Sequence, residues 1–359
     1  MRNGVGKERF PDVDIFLRVD AIPELAKILD GAENPACGGE PVYLYDHRAP
    51  RLLLTVPQVA YLKIADGCDN RCSYCSIPGI RGALRTRPSA SVLTEAAQLI
   101  ANGVKELVVI AQDITAYGLD RPQSGDSLAK LVRQLDALAG DFRLRLLYTH
   151  PAHYTDDFIA AMADCKKVIP YLDIPLQHIN DRILKAMGRR VDRAAIETLL
   201  AEMRRRIPNL VVRTTFITGF PGETEEEFAE LKAFLAEQRF ERCGVFAFSP
   251  EPGTPAAALP GQIPLRVAET RAAELMKLQK AIMLERHREW IGRTDRVLID
   301  RVEGSTAWGR GTLDAPDIDN QVAISRGGRL QVGEYYDIVY QSATGYELRG
   351  EIVKKKGVR

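Results

Sequence analysis

The sequence predicts an α/β chain: a run of βα units closing into a partial or full barrel, then a small five-stranded β-barrel. Between about residue 58 and residue 250, β-branched apolar runs alternate with amphipathic helical stretches, the pattern of parallel strands joined by crossover helices. Beyond about residue 290 the apolar period changes to two, with Gly and Asp turns between short runs. A third observation concerns chemistry. Three of the six cysteines crowd into the eight residues Cys68-Asp-Asn-Arg-Cys72-Ser-Tyr-Cys75, directly after the first strand.

The strand candidates are Val59–Ala65, Glu106–Gln112, Leu144–His150, Tyr171–Leu176, Leu210–Thr218 and Gly244–Ser249. Between them the helical patterns are Ser89–Asn102, Ser127–Leu138, Asp156–Ala163, Arg193–Arg206 and Thr224–Gln238. Gly103 is placed to stop the first helix, and Thr224 followed by Glu227 reads as a capping box. The stretch Pro250 to Pro264 ends the barrel region, and a charged connector helix follows to about Trp290, with Leu275, Leu278 and Ile282 on one face. The last strands are expected at Arg296–Arg301, Thr306–Gly311, Gln321–Ser325, Tyr335–Tyr340 and Glu347–Val353.

In barrels of parallel strands the chemistry gathers at the C-terminal strand ends. The cysteine run begins at the end of strand one, and polar groups recur at later ends: Gln112 and Asp113, Tyr148 and His150, Gln177 and His178, then Gly219. The candidate cofactor contacts are Tyr74, Gln112, Asp113, Gln177, Arg213 and Gly219. Tyr74 either packs the loop or flanks a bound ring. In Thr214 to Thr224, Gly219 and Gly222 would let backbone approach a ligand closely.

A net charge of +1 gives no global field that recruits nucleic acid, so RNA contact would need a local patch. Arg189, Arg190, Arg193 and Arg204–Arg206 are candidates for one, or for an ordinary solvated face. No apolar run approaches the roughly 18 residues that cross a bilayer, and the first residues lack the apolar core of a signal peptide. A cytoplasmic protein without a membrane partner is expected.

Thiolates with three and two residues between them can wrap one loop around a cubane iron–sulfur cluster, each sulfur taking one iron. Three ligands leave the fourth iron open, and S-adenosylmethionine can chelate it through its amino and carboxylate groups. An electron from the cluster then cleaves a carbon–sulfur bond and releases a 5′-deoxyadenosyl radical. The rival is structural zinc, which needs a fourth ligand. None of the five histidines stands in a second paired motif.

Tyr61 to Gly82, around the cysteines, and Phe216 to Glu223 resemble the radical S-adenosylmethionine methylthiotransferases. Gln112 to Gly118, Tyr171 to His178 and Leu313 to Asp319 resemble the branch that modifies the β-carbon of an aspartate in small-subunit ribosomal protein S-twelve. The resemblance implies a transferase with a (β/α)6 partial barrel over residues 53–288 and a TRAM-like β domain over 289–359. It implies a 4Fe-4S cluster on Cys68, Cys72 and Cys75 and S-adenosylmethionine as cofactor, and it assigns no catalytic side chain beyond the cluster ligands. The implied partners are protein S-twelve or the small ribosomal subunit, an electron-donor protein, and RNA through the C-terminal domain. The alternatives are methylthiolation of a tRNA adenosine and a zinc-stabilised RNA-binding protein without catalysis. The family also carries an N-terminal domain whose three further cysteines hold an auxiliary cluster. Residues 1–52 resemble only a remnant of that domain plus a linker, with Cys37 in the linker, so a truncated domain lacking the auxiliary ligands is expected.

Overall fold

Apolar β-branched runs followed by amphipathic helices give six parallel strands in consecutive order. They are β1 Val59–Lys63, β2 Glu106–Ile110, β3 Arg143–Leu146, β4 Val168–Asp173, β5 Val211–Thr218 and β6 Arg242–Ala247. Each pairs in parallel with the next, and no β1–β6 pairing closes the ring among the described residues. This is the expected (β/α)6 partial barrel. The computed structural model describes residues 10–17, 19–31, 41–325, 328–344 and 346–353. Cys37 and the start of the expected N-terminal remnant lie outside the described residues.

The helices on the outer face are α1 Ser89–Ala101, α2 Leu128–Asp136, α3 Asp156–Asp164, α4 Asp181–Ala186, α5 Arg193–Arg206 and α6 Glu225–Gln238. Alternate strand residues, Leu62, Leu107, Leu144, Leu172 and Val212, meet their apolar stripes in one core. The capping box forms as expected: Thr224 Oγ accepts from Glu227 N, and Thr224 N donates to the Glu227 carboxylate. The connector helix α7, Leu265–Arg288, buries Leu275 and Ile282, with Leu278 half-buried against the same core. Helix α4, capped by Asn180, has no counterpart in the sequence reading because it is a single short turn of chain between β4 and α5. The third strand ends at Leu146 rather than His150, so Tyr148 and His150 stand beyond it in a loop.

The C-terminal strands, β7 Thr294–Glu303, β8 Thr306–Arg310, β9 Val322–Ile324, β10 Tyr335–Thr344 and β11 Glu347–Ile352, form a closed barrel in the order β8-β9-β11-β10-β7. Closure leaves no free edge. The loop from β8 to β9 enters the lower lumen of the large barrel. There Asp314 pairs with Arg242 at 2.6 Å, Tyr61 donates to Asp317 at 2.7 Å and Tyr171 donates to Asp319 at 2.5 Å. Leu313 and Ala315 share a core with lumen residues Val59, Val108, Ile169 and Tyr171. The second domain thus fills the floor and leaves the C-terminal strand ends for the site. No helix among the described residues is long and apolar enough to cross a membrane.

One floor contact makes stability pH-dependent. His287, 1% exposed, faces the Arg242 guanidinium at 2.7 Å. Burial first, and the Arg242 charge second, lower its pKa to about 3. The unfolded chain protonates it below about pH 6.5 while the folded chain keeps it neutral. Its contribution is therefore complete above about pH 6.5 and is lost toward pH 3, by up to about 1.4 kcal/mol per pH unit. Urea unfolding between pH 7.5 and 5.5 should show that slope in the native protein and a flatter one in His287→Gln. Equal slopes would contradict it.

Candidate functional site

The cysteine run follows β1 and is tied down at many points through its backbone and its polar side chains. Cys68 N donates to Gly82 O at 3.2 Å, Leu84 N to Asp69 Oδ1 at 3.1 Å and Asn70 Nδ2 to Asp113 Oδ2 at 2.8 Å. Ser73 grips the C-terminal end of α4, its N donating to Met187 O at 2.9 Å and its Oγ to Ala186 O at 2.8 Å. Gly188 must be glycine here: its φ is +72°, and an added Cβ would lie 2.5 Å from Arg71 O. With the backbone so fixed, Cys68, Cys72 and Cys75 remain half-exposed, unpaired thiols. Burial raises the Cys68 pKa to about 11 and raises that of Cys75. A cavity of about 520 Å³ opens beside Cys68, lined by Asp69, Asn70, Arg71, Pro78, Gly82, Ala83 and Arg190.

The later strand ends converge on the same side. Gln112 Oε1, Gln177 Oε1 and His150 Nε2 are buried with no hydrogen-bond partner among the described residues. His150 Nδ1 accepts from Ala152 N at 3.2 Å, so a neutral ring carries its proton on the unpartnered Nε2. Burial lowers its pKa to about 3, helped by the Arg189 charge. Two non-glycine residues adopt left-handed backbone here, Tyr148 at φ 65° and Gln177 at φ 71°. Such conformations cost energy and concentrate at functional sites. Tyr148 is 40% exposed. Nothing in its sequence neighbourhood announced the strain.

The other candidates divide. The Asp113 oxygens are occupied: Oδ1 accepts from Thr115 N at 2.9 Å, and Oδ2 faces Asn70 and His153 Nδ1, each at 2.8 Å. Its observed work is to brace the cysteine loop. Arg213 lies a layer lower, held by Asp173 at 2.8 Å and near Asp319 at 3.8 Å. The Tyr74 ring packs on Ile183, Met187, Phe220, Phe248 and Ala256. Gly219 has φ +72°, and a Cβ there would sit 2.2 Å from Ala268 Cβ on α7. The close approach that requires glycine here is therefore to the connector helix. Gly219→Ala should cost about 2–4 kcal/mol, from the left-handed backbone and the overpacking together. A change below about 0.5 kcal/mol in urea unfolding, the range of ordinary surface substitutions, would contradict that packing.

The basic strip also dissolves. Arg193 pairs with Glu197 and Glu230 at 2.7 and 2.9 Å, Arg205 with Glu202 at 2.6 Å, and Arg206 with Asp156. Arg204 donates to Gln238 at 2.8 Å beside the Phe240 ring. Arg189 belongs to neither a patch nor a solvated face. It is 8% exposed, with Nη1 3.8 Å from Cys72 Sγ and 3.5 Å from Tyr74 Oη, and Nη2 donating to Pro175 O at 2.6 Å. Sequence reasoning also missed a brace behind Gly219. The buried Glu223 carboxylate accepts from Gly219 N and from Arg271 Nη1 at 2.8 Å, and faces His178 Nε2 at 3.2 Å. The sequence signal for it is the Gly-Phe-Pro-Gly-Glu turn itself.

Three thiols on one loop, a cavity beside Cys68 and unpartnered buried polar atoms after later strands fit a cluster with a small polar ligand. A second cluster does not fit the described residues, because Cys165 ends α3 and Cys243 lies on β6, apart from the loop.

Residues 62–235 match the Radical SAM superfamily and residues 291–353 match the TRAM domain. The chain is 44% identical to the ribosomal protein uS12 methylthiotransferase RimO of Pelotomaculum thermopropionicum, across 96% of its own length and 78% of that protein's. The proteins of the same name from Syntrophotalea carbinolica and Akkermansia muciniphila are also 44% identical, covering 96% and 95% of this chain and 77% and 78% of theirs.

Proposed function

This chain belongs to the RimO family of radical S-adenosylmethionine methylthiotransferases, and from that premise we propose that it adds a methylthio group to the β-carbon of an aspartate in ribosomal protein S-twelve. The observation that carries the reading is the 44% identity running through 96% of the chain, both domains included.

Cys68, Cys72 and Cys75 would hold the 4Fe-4S cluster. When bound, the cluster and S-adenosylmethionine supply a one-electron bond cleavage whose product takes hydrogen from an unactivated carbon. The protein's part is to position and to exclude water. Asp113, through Asn70, holds the cysteine loop against the end of β2. The His150 Nε2–H donor and the Gln112 and Gln177 carbonyl oxygens supply partners for the polar groups of a bound cofactor or target. Reduction requires a low-potential one-electron donor. The TRAM domain supports RNA contact during engagement of the small subunit.

The test is to offer the anaerobically reconstituted protein small ribosomal subunits and, separately, tRNA, then to weigh the products. A methylthio gain on protein S-twelve is expected. A gain on tRNA adenosine alone would overturn the choice of substrate.

A further inference from the structure

Arg189 is a buried arginine of the site with no ion pair among the described residues, unlike the exposed Arg71 and Arg190 that line the cavity. A guanidinium is always protonated and costs several kcal/mol to bury unless an opposite charge meets it. Arg189 is 8% exposed, forms no ion pair among the described residues, and leaves Nε buried without a partner. Its neighbours are the Pro175 carbonyl, the Tyr74 hydroxyl and the Cys72 sulfur. Its backbone is set by the same turn that seats the cysteine loop: Gly188 lies against Arg71 O, and Arg189 N donates to Leu184 O at 2.9 Å. The guanidinium is thus built into the loop's support and aimed at one thiol.

We propose that Arg189 is the counter-charge of the cluster, donating an N–H to Cys72 Sγ and raising the cluster's reduction potential. The inference rests on the cluster reading above. When a low-potential donor gives up one electron, the cluster gains it and no covalent bond changes. The added negative charge spreads onto the cysteine sulfurs. A fixed cation and an N–H bond to sulfur stabilise that reduced state more than the oxidised one, which shifts the couple toward reduction. Arg189 is a positioning and tuning residue, acting through Cys72.

The full chain, reconstituted with iron and sulfide, is titrated with dithionite under EPR without S-adenosylmethionine, so that cofactor binding does not enter. In Arg189→Gln with native iron content, the ratio of reduced to oxidised cluster at a fixed potential should fall about tenfold, a shift of about 59 mV for one electron. Arg189→Lys should recover at least half of it. An unchanged potential with full iron overturns the proposal. Should Arg189→Gln fail to hold iron, the native protein decides. Pulsed EPR on chain carrying guanidino-15N arginine should detect a weakly coupled nitrogen, and its absence overturns the proposal. Native protein that takes up no iron overturns the cluster reading, and this inference with it.

Discussion

Replacing Cys68, Cys72 or Cys75 singly by alanine removes S-adenosylmethionine cleavage, by at least about 10⁶-fold, the low end of enzymatic rate enhancements. Without the cluster, no side chain can act in its place as the electron source. The fold should survive, because the loop is held by its backbone and by Asp69, Asn70 and Ser73, and the three thiols form no disulfide, Cys72 Sγ lying 3.8 Å from Arg189 Nη1. Far-UV spectra and urea midpoints should match the native apoprotein, while iron per chain and 5′-deoxyadenosine formation fall together. A variant that loses one thiol yet keeps native cleavage would remove that residue from the ligand set.

The second large effect concerns stability. Glu106, fully buried in the floor, meets Arg145 at 2.7 Å, Arg143 at 3.1 Å and Arg310 of the second domain. Burial alone would raise its pKa, but the three guanidinium charges hold it well below the usual carboxylate range. Glu106→Gln leaves three buried cations facing a neutral amide, and breaking a buried ionic cluster from one side costs about 3–5 kcal/mol. Arg310 lies in β8, so the loss should loosen the two domains from one another. Urea unfolding of Glu106→Gln should show the drop, with earlier proteolysis between the domains. A loss under about 1 kcal/mol, the worth of an exposed ion pair, would contradict the assigned burial.

Strand and helix positions were legible because each β-branched run buries one face against a helix, as Leu62, Leu107 and Val212 do. The three thiols were legible because cluster ligation is a matter of local spacing on one loop. What was not legible depends on contacts distant in sequence. Gly219 signalled a close approach, yet only the fold shows that Ala268 of α7 makes it. Arg189 sits among basic residues of which Arg193, Arg205 and Arg206 pair with carboxylates, and the Gly188 turn sends it inward to Cys72. Asp314 and Asp319 were visible as part of a resembling stretch, but their partners Arg242 and Tyr171 belong to the other domain. Tyr148 and Gln177 carry positive φ that no local residue type demands, so their strain is set by the surrounding packing.

The account stands most directly on one measurement: the native chain, reconstituted anaerobically with iron and sulfide, is reduced in the presence of S-adenosylmethionine and assayed for 5′-deoxyadenosine. The expected result is a 4Fe-4S optical and EPR signature, with 5′-deoxyadenosine formed in the native protein and absent in Cys72→Ala. Native protein that binds zinc in place of iron and sulfide, or that holds a cluster and releases no 5′-deoxyadenosine, would contradict it.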